Sequence, residues 1–136
     1  MSRTPTHLLI GALILAWSAL VQAGSLAGTE WKPLRMGEMA VPNDSSAYLQ
    51  FRSKGRLTGF SGCNRLMARY SAAADIIFVG PVGATRKVCA RSVMAREAAL
   101  AAALEQARTY RRQTTGLVFF DAVGRPILEL RQTDWD

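Results

Sequence analysis

Histidine is nearly missing from this chain of 136 residues; the single copy is His7. Acidic residues are also scarce. Ten carboxylates face seventeen lysines and arginines, which leaves a formal charge of +7 and a pI near 10.3. There are 2 cysteines, too few for a disulfide-dense miniprotein. No apolar run reaches the ~20 residues of a comfortable membrane span. Hydrophobic residues make up 49% and charged residues 20%, which excludes wholesale disorder. The length suits one small domain and excludes two ordinary ones.

Residues 1–23 read as a secretory signal peptide. Arg3 and His7 lie in a short polar segment. An uncharged apolar stretch runs from Leu8 through Val21. Val21-Gln22-Ala23 places aliphatic and small residues where signal peptidase reads them. An uncleaved anchor is the alternative, disfavoured because the apolar stretch is short. No cysteine follows that stretch, so a lipoprotein is excluded. Cleavage after Ala23 leaves 113 of the 136 residues, as a domain spanning 24–136. Losing Arg3 lowers the charge from +7 to +6, and losing His7 leaves no histidine. The expected location is periplasmic or secreted. That excludes nucleic acid as a partner and points to an anionic envelope component or an envelope protein.

The mature chain reads as strands, one helix, then strands. Gly28 to Leu34 opens as a short strand ended by Pro33. Met39 to Ser46 reads as a loop. Ala47 to Arg52 alternates apolar and polar residues, turns at Ser53 to Arg56 and returns through Leu57 to Phe60 as a hairpin. Further strands are expected at Leu66 to Tyr70 and Asp75 to Val79. From Ser92 to Ala107 there is neither glycine nor proline. Met94, Ala98, Ala101, Leu104 and Ala107 recur at helical spacing, and Ser92 is the expected N-cap. Tyr110 leads on a short strand into a second hairpin, Leu117 to Phe120 and Ile127 to Arg131. The order is that of an α+β fold: a small curved antiparallel sheet, or partial barrel, with one helix packed against it.

Cys63 and Cys89 are the two thiols. In an oxidising compartment they most simply pair. Such a bridge contributes ~3–4 kcal/mol in the chain-entropy picture. Two free buried thiols are the alternative. A catalytic Cys63 would need a histidine base, and a redox pair would need Cys-X-X-Cys spacing. Neither is present. Without histidine, Ser-His-Asp and Cys-His chemistry is excluded and common zinc sites lose a usual ligand. Calcium-loop spacing is missing as well. No metal, cofactor or catalytic residue is expected.

Several short motifs occur in a particular order. Gly28-Thr29-Glu30-Trp31-Lys32 comes first. Gly59-Phe60-Ser61-Gly62-Cys63-Asn64-Arg65, with Tyr70, follows. Thr85-Arg86-Lys87-Val88-Cys89 precedes the helix, and Asp121 to Gly124 precedes the last strand. From Leu26 to Arg131 the chain resembles the META domain family, which includes HslJ-like heat-shock proteins. Departures are Leu66 for an aromatic, Ala68 for a glycine, and Lys87-Val88 for Met-Ala. The resemblance implies a small curved-sheet fold in exported or envelope-associated bacterial proteins, linked to stress, secretion and motility. It carries no established enzymatic activity. The motif residues Gly62, Asn64, Arg65, Tyr70, Thr85 and Arg86 therefore carry structural roles.

Asn64 has two readings: a turn residue bonding nearby backbone, or a ligand contact beside the cysteines. Arg52, Lys54 and Arg56 cluster at the first hairpin tip, and with Lys87 they form a candidate anion-binding patch. Arg65, Arg86 and Lys87 converge if the cysteines pair. Scattered cations that only keep the surface soluble are the alternative. Trp31 is expected in the core, and Trp135 in an exposed tail. The resulting expectation is a non-enzymatic envelope accessory or binding module. A pilot or chaperone-like partner of a secretion system is the second reading. A carboxylate-based hydrolase is the third.

Overall fold

The computed structural model describes residues 2–3 and 25–133. Apart from Ser2 and Arg3, the expected signal segment lies outside the described residues, and so does Trp135. Ten strands and one helix follow in order: β1 (Thr29–Met36), β2 (Met39–Ala40), β3 (Tyr48–Arg52), β4 (Arg56–Phe60), β5 (Arg65–Ala73), β6 (Ile76–Val79), β7 (Gly83–Ala84), α1 (Arg91–Gln106), β8 (Thr109–Gln113), β9 (Gly116–Phe120) and β10 (Pro126–Thr133). A single 3₁₀ turn, Ser53–Gly55, joins β3 to β4. Every pairing is antiparallel, and the path runs β10-β9-β8-β6-β5-β4-β3-β1-β2. Pairing of β1 with β10 closes the sheet into a ring. The ring is not a regular barrel, because β6 and β8 meet through a single residue pair, Ile76 with Thr109.

Inward positions of the strands fill the interior. Trp31, Leu49, Phe51, Leu117 and Phe119 are fully buried. Phe51 meets Phe119 and Tyr70 edge-on, at ring separations of 6.0 and 5.0 Å. The helix packs against β1, β6 and β10 and adds Leu100, Ala103 and Leu104 to the same core. Burial of these groups is the main stabilising term. The expected α+β class, with one helix against a curved antiparallel sheet, is what the fold shows.

Four local expectations need correction. Pro33 does not end β1; it is buried inside the strand. Pairing with β3 stops at Trp31, and the register with β10 shifts between Pro33 and Arg35. Proline's missing N–H is tolerated at such an irregularity. Ser92 does not cap the helix. Ala90 takes that position with no side-chain bond, and its carbonyl accepts the Val93 and Met94 amides. The disulfide at Cys89 anchors the chain one residue earlier, so the entry is held by a tether. The inward stripe of α1 matches the expected one at Leu104 and Ala107, both fully buried, but not at Ala98, which is exposed while Leu100 and Ala103 turn inward. Alanine suits either face, so the larger leucines decide the orientation. The stretch read as a loop contains the two-residue strand β2, and β7 had no signal of its own.

Gly59 lies inside β4, opposite Leu49. A Cβ there would stand 2.6 Å from the Tyr48 carbonyl oxygen and 2.8 Å from a Leu49 methyl. Both neighbours are held by the ladder and the core. Gly59→Ala is expected to cost about 1–3 kcal/mol through overpacking, read as a lower urea midpoint. An unchanged midpoint would mean that β3 and β4 separate without penalty.

In the second hairpin turn, the Asp121 carboxylate accepts the Val123 and Arg125 amides and pairs with the Arg125 guanidinium at 2.9 Å. The Arg125 backbone amide is the chief cause that holds this carboxyl below its usual pKa.

Candidate functional site

The central motif forms a closed polar knot. At its heart is the turn Ser61-Gly62-Cys63-Asn64. The Ser61 amide donates to the Asn64 carbonyl, and the Ser61 hydroxyl oxygen accepts the amides of Cys63 and Asn64 at 3.1 and 2.9 Å. Gly62 has φ +96°, a region that side chains avoid, so the turn needs glycine. The turn is joined to the segment before α1 by a disulfide between Cys63 and Cys89.

Asn64 is 1% exposed, and its side chain crosses between these segments. Its Oδ1 accepts the Thr85 hydroxyl at 2.9 Å and the Lys87 amide at 2.7 Å. Its Nδ2 donates to the Lys87 carbonyl at 2.9 Å and to the Glu97 carboxylate at 3.0–3.1 Å. Ser61 Oγ donates to the same carboxylate at 2.6 Å. Thr85 completes the knot, since its Oγ1 accepts the Arg65 amide and its own amide donates to the Arg65 carbonyl. Each polar group of the Asn64 side chain is thus engaged within the protein. The turn reading of Asn64 fits, since its side chain has no donor or acceptor left over.

Tyr70 also ties segments together. Its hydroxyl donates to the Arg52 carbonyl at 2.9 Å, fastening the first hairpin tip to β5. Burial pushes its phenol above the usual tyrosine pKa. Beside it, a cavity of about 430 Å³ opens at one end of the ring, lined in part by Lys54, Ala72 and Tyr110. The interior beyond is filled by aromatic and leucine side chains. Among the described residues there is no group of three or more His, Cys, Asp or Glu able to hold a metal ion.

The cations divide into two groups. Arg52 and Arg56 are direct cross-strand partners, with Lys54 between them at the tip. Arg65, Arg86 and Lys87 gather beside the knot, at the other end of β4 and β5, about 14 Å away by strand rise. Lys87 therefore does not sit with Arg52, Lys54 and Arg56. Arg69 instead lies directly opposite Arg56. The row Arg52–Arg56–Arg69 thus spans three adjacent strands. All three residues are exposed, and their guanidiniums have no hydrogen-bond or ion-pair partner among the described residues. From Ser45 to Ala74 the chain carries five cations and no acid.

Two contributors escaped the sequence reading. Glu97 falls on the true inward stripe of α1 with Val93, Leu100 and Leu104, and an acid on such a stripe is a legible signal. Arg69 shares its strand face with Arg65 and Met67 by alternation, but its neighbour across the sheet depends on register.

A closed antiparallel ring with one helix against it, and a disulfide-braced Gly-Cys-Asn knot, define a small single-domain class. Among the solved structures that share the fold are two of different origin. One is an NMR structure of a protein from Burkholderia xenovorans, with TM-score 0.67 and 22% identity, covering 81% of this chain and 85% of its own. The other is the crystal structure of a DUF4847 family protein from Bacteroides vulgatus, with TM-score 0.59 and 13% identity, covering 82% and 96%. No curated protein matches the chain. Residues 24–134 match the META domain, and the chain belongs to that family.

Proposed function

We propose that the protein is an exported, non-enzymatic accessory of the bacterial cell envelope, tied to envelope stress, which works by binding an anionic component. The observation that carries this reading is the acid-free cationic stretch from Ser45 to Ala74, exposed on β3, β4 and β5 without counter-ions among the described residues. Such a surface favours anionic partners over a broad range. The disulfide suits an oxidising compartment. No helix among the described residues is long and apolar enough to cross a membrane. The apolar N-terminal segment with its Val-Gln-Ala site supports export by cleavage. After that cleavage no histidine remains, which leaves little for acid–base or nucleophilic chemistry.

Expression of the full chain in a Gram-negative host, followed by osmotic shock and mass measurement, tests the reading. The expected product begins at Gly24, is released from the periplasm, and sediments with isolated envelopes at low salt but not at high salt. An unprocessed cytosolic product, or envelope binding indifferent to salt, would overturn it.

A further inference from the structure

The outer face of β3, β4, β5 and β6 combines charge with exposed apolar groups. Across it runs the row Arg52–Arg56–Arg69, with neighbouring strands about 4.8 Å apart. Like charges directly opposite in a sheet repel. Alternation along β5 puts Arg65, Met67 and Arg69 on one face, and Ser71 follows them. Ser71 pairs with Phe78, and Ala73 with Ile76. Met67 is 55% exposed, Phe78 55% and Ile76 61%. Arg108 stands over the Phe78 ring at 5.9 Å and brings a further cation to the same area. The helix packs on β1, β6 and β10 and joins the core inside the ring.

Resting on the binding-module reading above, we propose that this face docks onto an anionic lipid surface. The arginine row takes lipid phosphates, and Met67, Phe78 and Ile76 enter the boundary between headgroups and acyl chains. Charge complementarity selects the partner: a sheet of phosphates satisfies three adjacent guanidiniums that have no partner among the described residues. The apolar trio selects a lipid surface over a soluble anion, because an interfacial binding face joins arginine or lysine with exposed large apolar groups.

The test is co-sedimentation of the purified processed protein with vesicles. Wild type is expected to bind vesicles containing 30% phosphatidylglycerol and to ignore pure phosphatidylcholine. Each basic residue near such a surface contributes about fivefold in binding, so Arg56→Gln with Arg69→Gln should weaken it roughly 25-fold. The pair Arg111→Gln and Arg131→Gln lowers net charge equally on other strands and should cost less than about threefold. Phe78→Trp should show blue-shifted emission with anionic vesicles and quenching by brominated lipid. Equal loss in the two double variants, or an emission unchanged by vesicles, would overturn the proposal. So would wild type that ignores anionic vesicles, or binding to inorganic phosphate alone. If envelope association persists while vesicle binding fails, the docking surface is wrong and the binding-module reading stands. If export or salt-sensitive envelope association fails, that reading falls first.

Discussion

Asn64→Ala is expected to destabilise the domain by about 3–4 kcal/mol, or roughly 12–16 °C in Tm for a chain of this size. The reason is the number of partners left behind. Removal of the amide strands the Thr85 hydroxyl, the Lys87 amide, the Lys87 carbonyl and one donor to Glu97. Each buried polar group without a partner costs about 1–3 kcal/mol, and water entry relieves part of that sum. A domain stabilised by about 5–15 kcal/mol would lose a large share. Asn64→Asp separates hydrogen bonding from shape. It keeps the acceptor but sets a carboxylate against Glu97 in place of a donor. Repulsion raises the folded pKa of the new group above its unfolded value, so its deficit is full at high pH, narrows as pH falls through the raised folded pKa, and is gone below about pH 4. Denaturant midpoints for both variants at two pH values check this. An Asn64→Ala midpoint near wild type would mean that the knot is not holding the loop.

Replacing both cysteines by alanine is expected to cost about 3.5 kcal/mol, from the 26-residue separation of Cys63 and Cys89. The unfolded chain gains freedom, so the m-value should rise together with the fall in stability. The bridge and Asn64 hold the same segment before α1. Their losses should therefore be sub-additive, with Asn64→Ala costing less once the bridge is gone. Thiol alkylation followed by mass measurement provides the control. Full labelling without reductant would show that the bridge is not formed in the isolated protein.

Strand existence and the two hairpins were legible from alternation in Tyr48–Arg52 and from a short continuous apolar run, Leu117 to Phe120, closed by a turn at Asp121 to Gly124. Cysteine pairing was legible from compartment chemistry. The helix was legible as an element but only partly in its rotation, at Leu104 and Ala107, because an alanine-rich stretch presents weak contrast between faces. Pro33 was misread because local rules treat proline as a terminator, whereas a bulge and a gap in pairing admit it. The role of Asn64 was one of two readings until Glu97 and Thr85 were placed around it. The division of the cations was invisible for a different reason: cross-strand neighbours follow from register, which no single segment contains. Arg56 meets Arg69 only when β4 and β5 are aligned.

Closure of the ring through β1 and β10 has a consequence for how the chain acquires its structure. Glu30 pairs with Thr133, so the first strand waits for the last one. Until β10 is available, β1 and β9 both present open backbone edges, and Pro33 is one of the few local defences on the first of them. Such long-range pairing makes folding slow relative to helical domains. The fold is therefore all-or-none in chain length: a product cut short before Pro126 retains two sticky edges and no way to join them. The same closure brings Glu30 and Thr133 side by side, so a tether attached near either terminal strand leaves the domain from one place.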